Sequence, residues 1–221
     1  MPDAVTVVGG TGDLGFALAT RWARAGVTVT IGSREQAKAE SAVEKLKELV
    51  PDATVMGMDN AAAVAESPVV LVAVPFSGMV PIYKSISDAV TPETVVIDST
   101  VPVEASLGAK ATHVFGVWEG SAAQLALAFL PKGTKMCAAF HTLSASAVAE
   151  LHTPLDGDVL VCGNKAGKLQ VKELVELLPD LRYVDAGPLE NARIIEPITA
   201  LLIGINHRYD SDRAGIAITG I

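Results

Sequence analysis

Three glycines near the start of the chain have the spacing of a phosphate-binding turn. In VVGGTGDLG, residues 7–15, Gly10, Gly12 and Gly15 form the pattern GxGxxG between a valine-rich run and a helical pattern. The first glycine permits a tight turn, the second lets the backbone approach a pyrophosphate, and the third lets the helix pack on the strand. The start of the helix supplies free N–H groups and a partial positive charge. The pattern predicts a dinucleotide site, and a plain glycine-rich turn is the alternative.

A second stretch, GSREQAK at residues 32–38, indicates which dinucleotide would bind. An NAD site usually places Asp or Glu after the second strand for the ribose 2′-hydroxyl, whereas a 2′-phosphate needs cations and hydroxyls. Ser33 offers a hydroxyl, Arg34 can contact a phosphate with two nitrogens or lie on the adenine, and Lys38 follows one helical turn later. Glu35 is expected to interact with the helix dipole. NADP is therefore favoured over NAD, and a solvated helix start is the alternative.

Segments that follow three later apolar runs, AVPFSG, DSTVPV and FHTLSA, carry residues able to contact a nicotinamide. Phe76, Val80 and Val103 would pack against the ring, and Ala145 would leave space for it. His141 offers a ring nitrogen for acid–base chemistry, or equally a polar side chain that holds its own turn. The sequence shows no Ser-His-Asp arrangement, HExxH motif or carboxylate pair of catalytic spacing. The chemistry is thus expected to belong to cofactors, with no metal.

The hydrophobic pattern predicts the elements that position these residues. Short apolar runs alternate with helical patterns as far as residue 140, which indicates an α/β fold with a doubly wound parallel sheet covered on both faces. The texture then changes, so that a lobe boundary is predicted near residue 141. The last helix is predicted from Leu189 to about Asn206, with a kink at Pro197. The six strands predicted before the boundary are residues 4–9, 27–32, 53–57, 69–74, 95–98 and 135–140.

Composition limits the classes of function. The chain has 221 residues and a net charge of −8, which argues against a nucleic-acid surface. No apolar run reaches the roughly 18 residues of a membrane span, and no basic segment precedes the first apolar run, so we expect a cytoplasmic protein without a signal peptide. Cys137 and Cys162 lack CxxC spacing, which favours buried thiols. The apolar last helix must pack on its own lobe or on a second copy in a homodimer.

Taken in order, the motifs resemble those of the NADPH-dependent reductases of coenzyme F420, an 8-hydroxy-5-deazaflavin. The similarity spans nearly the whole chain, and DAGPLENAR at the start of the last helix is its most specific part. The matching segments are GGTGDLG at 9–15, GSR at 32–34 with Lys38, VPF at 74–76, VPV at 101–103, FHTLSA at 140–145, VCG at 161–163 and DAGPLENAR at 185–193.

The resemblance implies a Rossmann-type NADP-binding domain, residues 1–141, and a small C-terminal α/β domain, residues 142–221, that closes the deazaflavin cleft. It also implies direct hydride transfer between nicotinamide C4 and deazaflavin C5, with no obligatory acid or base. His141 would lie beside the reacting rings, and Arg193 and Arg208 are weaker candidates for the acidic tail or ring oxygens. The residues carried over by position are Thr11, Gly12, Asp13 and Leu14 for the pyrophosphate, Ser33, Arg34 and Lys38 for the 2′-phosphate, and Phe76, Val80, Val103 and Ala145 for the nicotinamide.

Three other functions stay open at the level of sequence. One is a related reductase with a flavin-type acceptor. A second is an NADPH-dependent reductase of a small imine or keto substrate, although such enzymes usually carry a larger helical C-terminal domain than the roughly 80 residues here allow. The third is a non-catalytic NADP sensor that presents its last helix to a partner.

Overall fold

The computed structural model describes residues 2–221, so that Met1, the first residue of the predicted nucleotide-binding domain, lies outside it. Within that range the strands are β1 Ala4–Val8, β2 Thr28–Ser33, β3 Val55–Asp59, β4 Val69–Val72, β5 Val95–Asp98, β6 Lys135–Ala138, β7 Gly157–Gly163 and β8 Leu181–Asp185. The α-helices are α1 Asp13–Arg24, α2 Gln36–Leu49, α3 Asn60–Ala65, α4 Phe76–Ile86, α5 Ala122–Leu127, α6 Ala145–Ala149, α7 Lys165–Glu176, α8 Ala192–Ile195 and α9 Ile198–Tyr209. No helix among these residues is both long and apolar enough to cross a membrane.

All the strands belong to one sheet, in the order β3-β2-β1-β4-β5-β6-β7-β8. Every neighbouring pair is parallel except β6 and β7, which are antiparallel. The chain reverses its direction of travel across the sheet between β1 and β4, which is the switch point where ligands bind in open α/β sheets. The predicted α/β fold with a Rossmann-type doubly wound sheet is confirmed.

The predicted lobe boundary near residue 141 falls between β6 and β7. The sheet continues across this point, because Cys137 pairs with Gly163 and Ala138 with Cys162. The β7–β8 pair therefore extends the same sheet as β1 to β6. The division of function between residues 1–141 and 142–221 stays a prediction.

Two apolar clusters cover the two faces of the sheet, as the fully apolar strands predict. On one face, α1, α2 and α7 pack on β1, β2 and β7, with Trp22 of α1 fully buried and edge-on to Phe140 at a centroid distance of 5.7 Å. On the other face, α4, α5 and α8 pack on β4, β5 and β6, with Tyr83 fully buried. The carboxyl ends of the strands are thus held rigidly from both sides.

The last helix is interrupted, where the sequence predicted one kinked helix. A 3-10 turn at Leu189–Asn191 leads into α8. The helix is then interrupted at Glu196 and Pro197, and α9 follows. Proline has no N–H to donate to the preceding turn, so the helix cannot continue through it without loss. The break leaves Glu196 fully buried beside the sheet, a position that the helical pattern did not indicate.

Arg21 of α1 joins this helix to the segment that contains α6. Its Nε donates to the Val148 carbonyl at 2.6 Å, and its Nη2 donates to the carbonyls of Glu150 at 2.7 Å and Thr153 at 3.2 Å. The side chain is 5% exposed, so these bonds replace the water that a buried cation would lose. Nearby, Trp22 donates from Nε1 to the Leu174 carbonyl at 3.0 Å.

Candidate functional site

The glycines of the first turn divide into two kinds. A Cβ at Gly10 would lie 2.9 Å from the Val7 carbonyl oxygen, and one at Gly15 only 2.6 Å from that of Gly9. Backbone atoms cannot give way by so much, so the fold itself requires these two glycines. At Gly12 the nearest atom would be the Gly9 oxygen at 3.4 Å, and this residue is exposed at the start of α1. The missing side chain at Gly12 therefore leaves room for a ligand.

A cleft of about 350 Å³ opens at the carboxyl ends of β1, β2 and β4. It brings together the two stretches that the sequence singled out, and Asn60 as well. Among its lining residues are Thr11, Gly12, Ser33, Arg34, Lys38 and Asn60. A second cavity continues from it along α2, past Asp13 and Lys45. In α1 the first-turn N–H groups, including those of Asp13 and Leu14, have no acceptor within their own helix and can serve a phosphate.

The corner beyond β2 has the donors that a phosphate needs. Ser33 is the last residue of β2, and its Oγ accepts the Glu35 N–H at 3.4 Å. The Arg34 side chain is exposed and makes no hydrogen bond or salt bridge within residues 2–221. Lys38 is paired with Glu35 at 2.7 Å, both side chains being 62% exposed, and this bond lowers the pKa of Glu35. Such an exposed pair contributes little stability, so an incoming phosphate can displace it.

Asn60 is a site residue that the sequence reasoning missed. It follows β3 directly and is 5% exposed, and its Oδ1 has no hydrogen-bond partner among the described residues. The Oδ1 atom of the preceding residue, Asp59, accepts hydrogen bonds from the N–H groups of Ala61 and Ala62 at 3.0 and 3.1 Å. Asp59 is therefore a helix cap, whereas Asn60 is free to bind a ligand. Its place at the end of a strand was the signal that could have found it.

The residues predicted for the nicotinamide lie beyond the cleft's main lining. Phe76 begins α4 and packs edge-on against Phe115 at a centroid distance of 4.8 Å. Val103 forms a bridge to Val114, next to Phe115 in the chain. Val80 packs with the cluster beneath α4, and Ala145 begins α6, which lies against α1. The structure thus associates Phe76 with the Val103 segment, and all four assignments stay predictions.

His141 lies in the interior, where it meets two carboxyl groups. The preceding residue, Phe140, has φ 67°, a left-handed conformation that is costly for a bulky side chain and turns the chain at the end of β6. His141 is 4% exposed, and neither ring nitrogen has a partner among the described residues. One donor atom each from Asp98, His141 and Glu196 lies within 4.8 Å of the other two. The His141 ring therefore makes no hydrogen bond to its own turn among the described residues, and both sequence interpretations of His141 stay predictions.

Both carboxyl groups of this cluster are fully buried. Asp98 ends β5, and its Oδ1 accepts hydroxyl bonds from Tyr83 at 2.7 Å and Thr100 at 2.8 Å. Burial raises the pKa of Asp98 to about 6 and that of Glu196 to about 8, and it lowers the pKa of His141 to about 3. The sequence reasoning missed this carboxylate pair because its members stand far apart in the chain. No linear spacing could have found it.

A smaller cavity of about 190 Å³ lies beside this cluster, between residues 114–120 and α8. Arg193, Glu196 and Pro197 line it from the helical side. The DAGPLENAR segment is fixed here, because Lys168 forms a salt bridge with Asp185 and Asn191 donates to the Ala186 carbonyl at 2.6 Å. Arg208 is exposed near the end of α9 and does not line this cavity. Of the two arginine candidates, Arg193 alone faces it.

The chain is similar over nearly its full length to named reductases. The family described as NADP oxidoreductase, coenzyme F420-dependent, matches residues 4–102. The F420-dependent NADP reductase of Methanothermobacter thermautotrophicus is 43% identical over 221 residues, which cover 98% of this chain and 95% of that protein. The reductase of the same name from Methanocaldococcus jannaschii is 36% identical, with 98% of each chain covered.

Solved structures support the fold. A crystal structure described as a putative F420-dependent NADP reductase from Arthrobacter sp. FB24 superposes with a TM-score of 0.83 at 21% identity, with both chains fully covered. A reductive aminase from Aspergillus terreus, in complex with NADPH and ethyl-5-oxohexanoate, superposes with a TM-score of 0.61 at 19% identity. That match covers 95% of this chain but 63% of the aminase. At these identities the two structures bear on the fold alone.

Proposed function

Because the chain belongs to the family of F420-dependent NADP reductases, we propose that it passes hydride directly between NADP(H) and coenzyme F420. It is an oxidoreductase, and its two coenzymes are NADP(H) and the 8-hydroxy-5-deazaflavin. The observation that carries the proposal is identity of 36–43% to three such reductases across 98% of the chain. The cleft at the switch point, with its glycine turn and unpaired arginine, supports the same function.

The NADP half of the proposal rests on the main cleft. Gly12 leaves the space in which the pyrophosphate approaches α1, and we assign Thr11, Asp13 and Leu14 to it as well, of which Thr11 and Asp13 line the two cavities. Arg34 and Ser33 bind the 2′-phosphate, with Lys38 joining them once its bond to Glu35 is released. Asn60 adds an amide that is buried and free on its oxygen side. The donor set fits a nucleotide with a charged 2′-substituent.

The deazaflavin half rests on the smaller cavity beside α8. We assign residues 1–141 to the nucleotide and residues 142–221 to closing the deazaflavin side, and Arg193, which lines the smaller cavity, is the cation that we assign to the second ring system. Phe76, Val80, Val103 and Ala145 are the residues that we assign to the nicotinamide end. The protein's contribution is to orient both rings and to exclude water, since the hydride chemistry belongs to the coenzymes.

The purified protein is expected to bleach the absorbance of oxidised F420 when NADPH is added. FMN and a keto ester with an amine serve as alternative acceptors in parallel reactions, and NADPH binding is measured by calorimetry. NADPH-dependent turnover of F420, but of neither FMN nor the imine, supports the proposal. NADPH that binds tightly without reducing F420 would contradict it, and turnover of the imine formed from ester and amine would indicate the substrate class of the reductive aminase.

His141→Ala is expected to retain turnover of F420 within about tenfold of the parent protein. The ring is buried and uncharged, and direct hydride transfer needs no side-chain acid, whereas loss of a true general acid or base costs typically 10²–10⁴-fold. Steady-state rates at pH 7 test this, with His207→Ala on the exposed face of α9 as the matched control. A loss of several orders of magnitude in a folded His141→Ala protein would make His141 catalytic.

A further inference from the structure

Asp98, His141 and Glu196 form a buried ionisable cluster that hydride transfer alone does not use. They come from the end of β5, the turn after β6 and the break before α9, and their donor atoms lie within 4.8 Å of one another. Three such groups in one desolvated space are costly unless they are paired. Because this buried cluster lies beside a cavity, a chemical role for it is worth testing.

Three polar atoms of the cluster have no hydrogen-bond partner among the described residues. Glu196 accepts the N–H groups of Ala122 at 2.8 Å and Ala123 at 3.0 Å, one on each oxygen. In contrast, Asp98 Oδ2 and both His141 nitrogens are buried without partners in the part of the chain that the structure describes. Two carboxylates without a proton would also place two negative charges among buried side chains. A single proton within the cluster relieves both problems.

The surrounding groups do not supply a compensating charge inside the cluster. Tyr83 from α4 is held neutral, because burial and the neighbouring Asp98 raise its pKa well above the usual value. Cys162 from β7 is neutral as well, since burial raises its pKa to about 12. Thr100 contributes a hydroxyl to Asp98, and Arg193 lines the adjacent cavity. Burial raises the pKa of Glu196 to about 8 and that of Asp98 to about 6, so that Glu196 is expected to take up a proton before Asp98 does.

Reduction of a deazaflavin consumes a proton in addition to hydride. The C–H bond at nicotinamide C4 breaks and a C–H bond at deazaflavin C5 forms, so that two electrons enter the acceptor. The pair ends as a negative charge on the N1 side of its pyrimidine ring, and the neutral product takes up one proton there. The balance is NADPH plus oxidised F420 plus one proton, giving NADP⁺ and reduced F420.

We propose that Glu196 holds and supplies this proton, with Asp98 and His141 as its buried neighbours in the cluster. The inference rests on the proposed function. Glu196 lines the cavity assigned to the deazaflavin, and in the proposed step its carboxyl O–H bond breaks as the N–H bond of the acceptor forms. The resulting carboxylate keeps the two backbone N–H bonds from Ala122 and Ala123, which stabilise its charge. Solvent that enters the open cavity then returns a proton, and in the reverse direction Glu196 accepts one.

The first test needs no coenzyme. The infrared C=O stretch of a protonated carboxyl group is expected in the free parent protein at pH 7 and is expected to disappear as the pH rises through about 8, the folded pKa of Glu196. Glu196→Gln removes this signal, whereas Glu190→Gln, on the exposed turn before α8, leaves it. Because the folded pKa lies above the unfolded value, the stability associated with the proton is present below pH 4.5 and lost as the pH rises towards 8. Glu196→Gln should flatten that slope in thermal unfolding.

The second test uses the proposed reaction. In Glu196→Gln, steady-state reduction of F420 is expected to fall about 10–100-fold and to lose its solvent deuterium isotope effect, as for loss of a general acid. The rate of hydride transfer in a single turnover should stay within a few-fold of the parent rate. A merely structural defect would lower this rate as well. If Glu196→Gln fails to fold, Asp98→Asn is the second variant, and it should shift the infrared titration of Glu196.

Several results would overturn the proposal. These are the absence of a protonated carboxyl signal in the parent protein at pH 7, an unchanged isotope effect in Glu196→Gln, or a stoichiometric divalent metal whose removal alters the cluster's signal. A parent protein that shows the infrared signal but leaves F420 oxidised would sink the proposed function and the delivery step with it. A parent protein that reduces F420 without the signal would sink this inference alone.

Discussion

Replacing Gly12 with valine is expected to leave the chain folded while weakening NADPH and NADH alike by at least about 100-fold, or about 2.7 kcal/mol. The new Cβ would lie no closer than 3.4 Å to the backbone, and the extended conformation at φ −90° and ψ 164° suits a β-branched residue. The two added methyl groups would fill the space through which a pyrophosphate approaches α1. Both nucleotides share that group, so both should weaken together.

Calorimetric binding and thermal unfolding of the Gly12→Val protein provide the measurement. Gly15→Ala is the matched control, because its Cβ would come within 2.6 Å of the Gly9 oxygen and should lower the unfolding temperature. Glycine is also a better helix cap than valine, so a loss of about 1 kcal/mol of stability is expected in the Gly12→Val protein. Unchanged affinity in a folded variant would place the pyrophosphate elsewhere.

Arg34→Ala is expected to weaken NADPH by about 10–150-fold and to leave NADH almost unchanged. The range corresponds to about 1.5–3 kcal/mol for a hydrogen bond to a charged group. The Arg34 guanidinium makes no hydrogen bond or salt bridge within residues 2–221, so its removal should cost the fold little. Lys38→Ala should have a smaller effect, because that lysine must first leave Glu35.

Dissociation constants for both nucleotides in each variant test the assignment. Lys47→Ala, an exposed cation later in α2, is the control for the general loss of a positive charge. The 2′-phosphate assignment fails if Arg34→Ala weakens both nucleotides equally. In that case Arg34 would act on the adenine or the pyrophosphate, which NADH also carries.

The features that the sequence predicted well are those encoded locally. Valine-rich runs separated by helical patterns indicated the parallel strands β1 to β6, and the glycine spacing predicted a tight turn between β1 and α1. Arg34 and Lys38 could be assigned to one corner because they lie one helical turn apart. Family membership could be inferred from motifs in a fixed order along the whole chain.

The features that sequence reasoning missed depend on contacts between distant residues. The antiparallel pairing of β7 with β6 leaves no mark on the composition of either strand. Asp98 and Glu196 meet because α8 and β5 pack in the same apolar cluster, although they stand far apart in the sequence. Asn60 reads as an ordinary helix start until burial shows its oxygen without a partner. In each case the information lies in tertiary packing.

Arg21 couples the glycine-rich turn, where we propose that the pyrophosphate binds, to a segment far along the chain. The first turn of α1 faces the cleft. On the same helix, the Arg21 guanidinium donates hydrogen bonds to the carbonyls of Val148, Glu150 and Thr153. Detaching that segment would leave the buried Arg21 cation and three carbonyl groups without their hydrogen-bond partners. A nucleotide that steadies α1 therefore also raises the free energy of detaching the segment around α6. The amides of α6 should exchange their hydrogens more slowly when NADPH is bound, although no atom of the coenzyme needs to touch them.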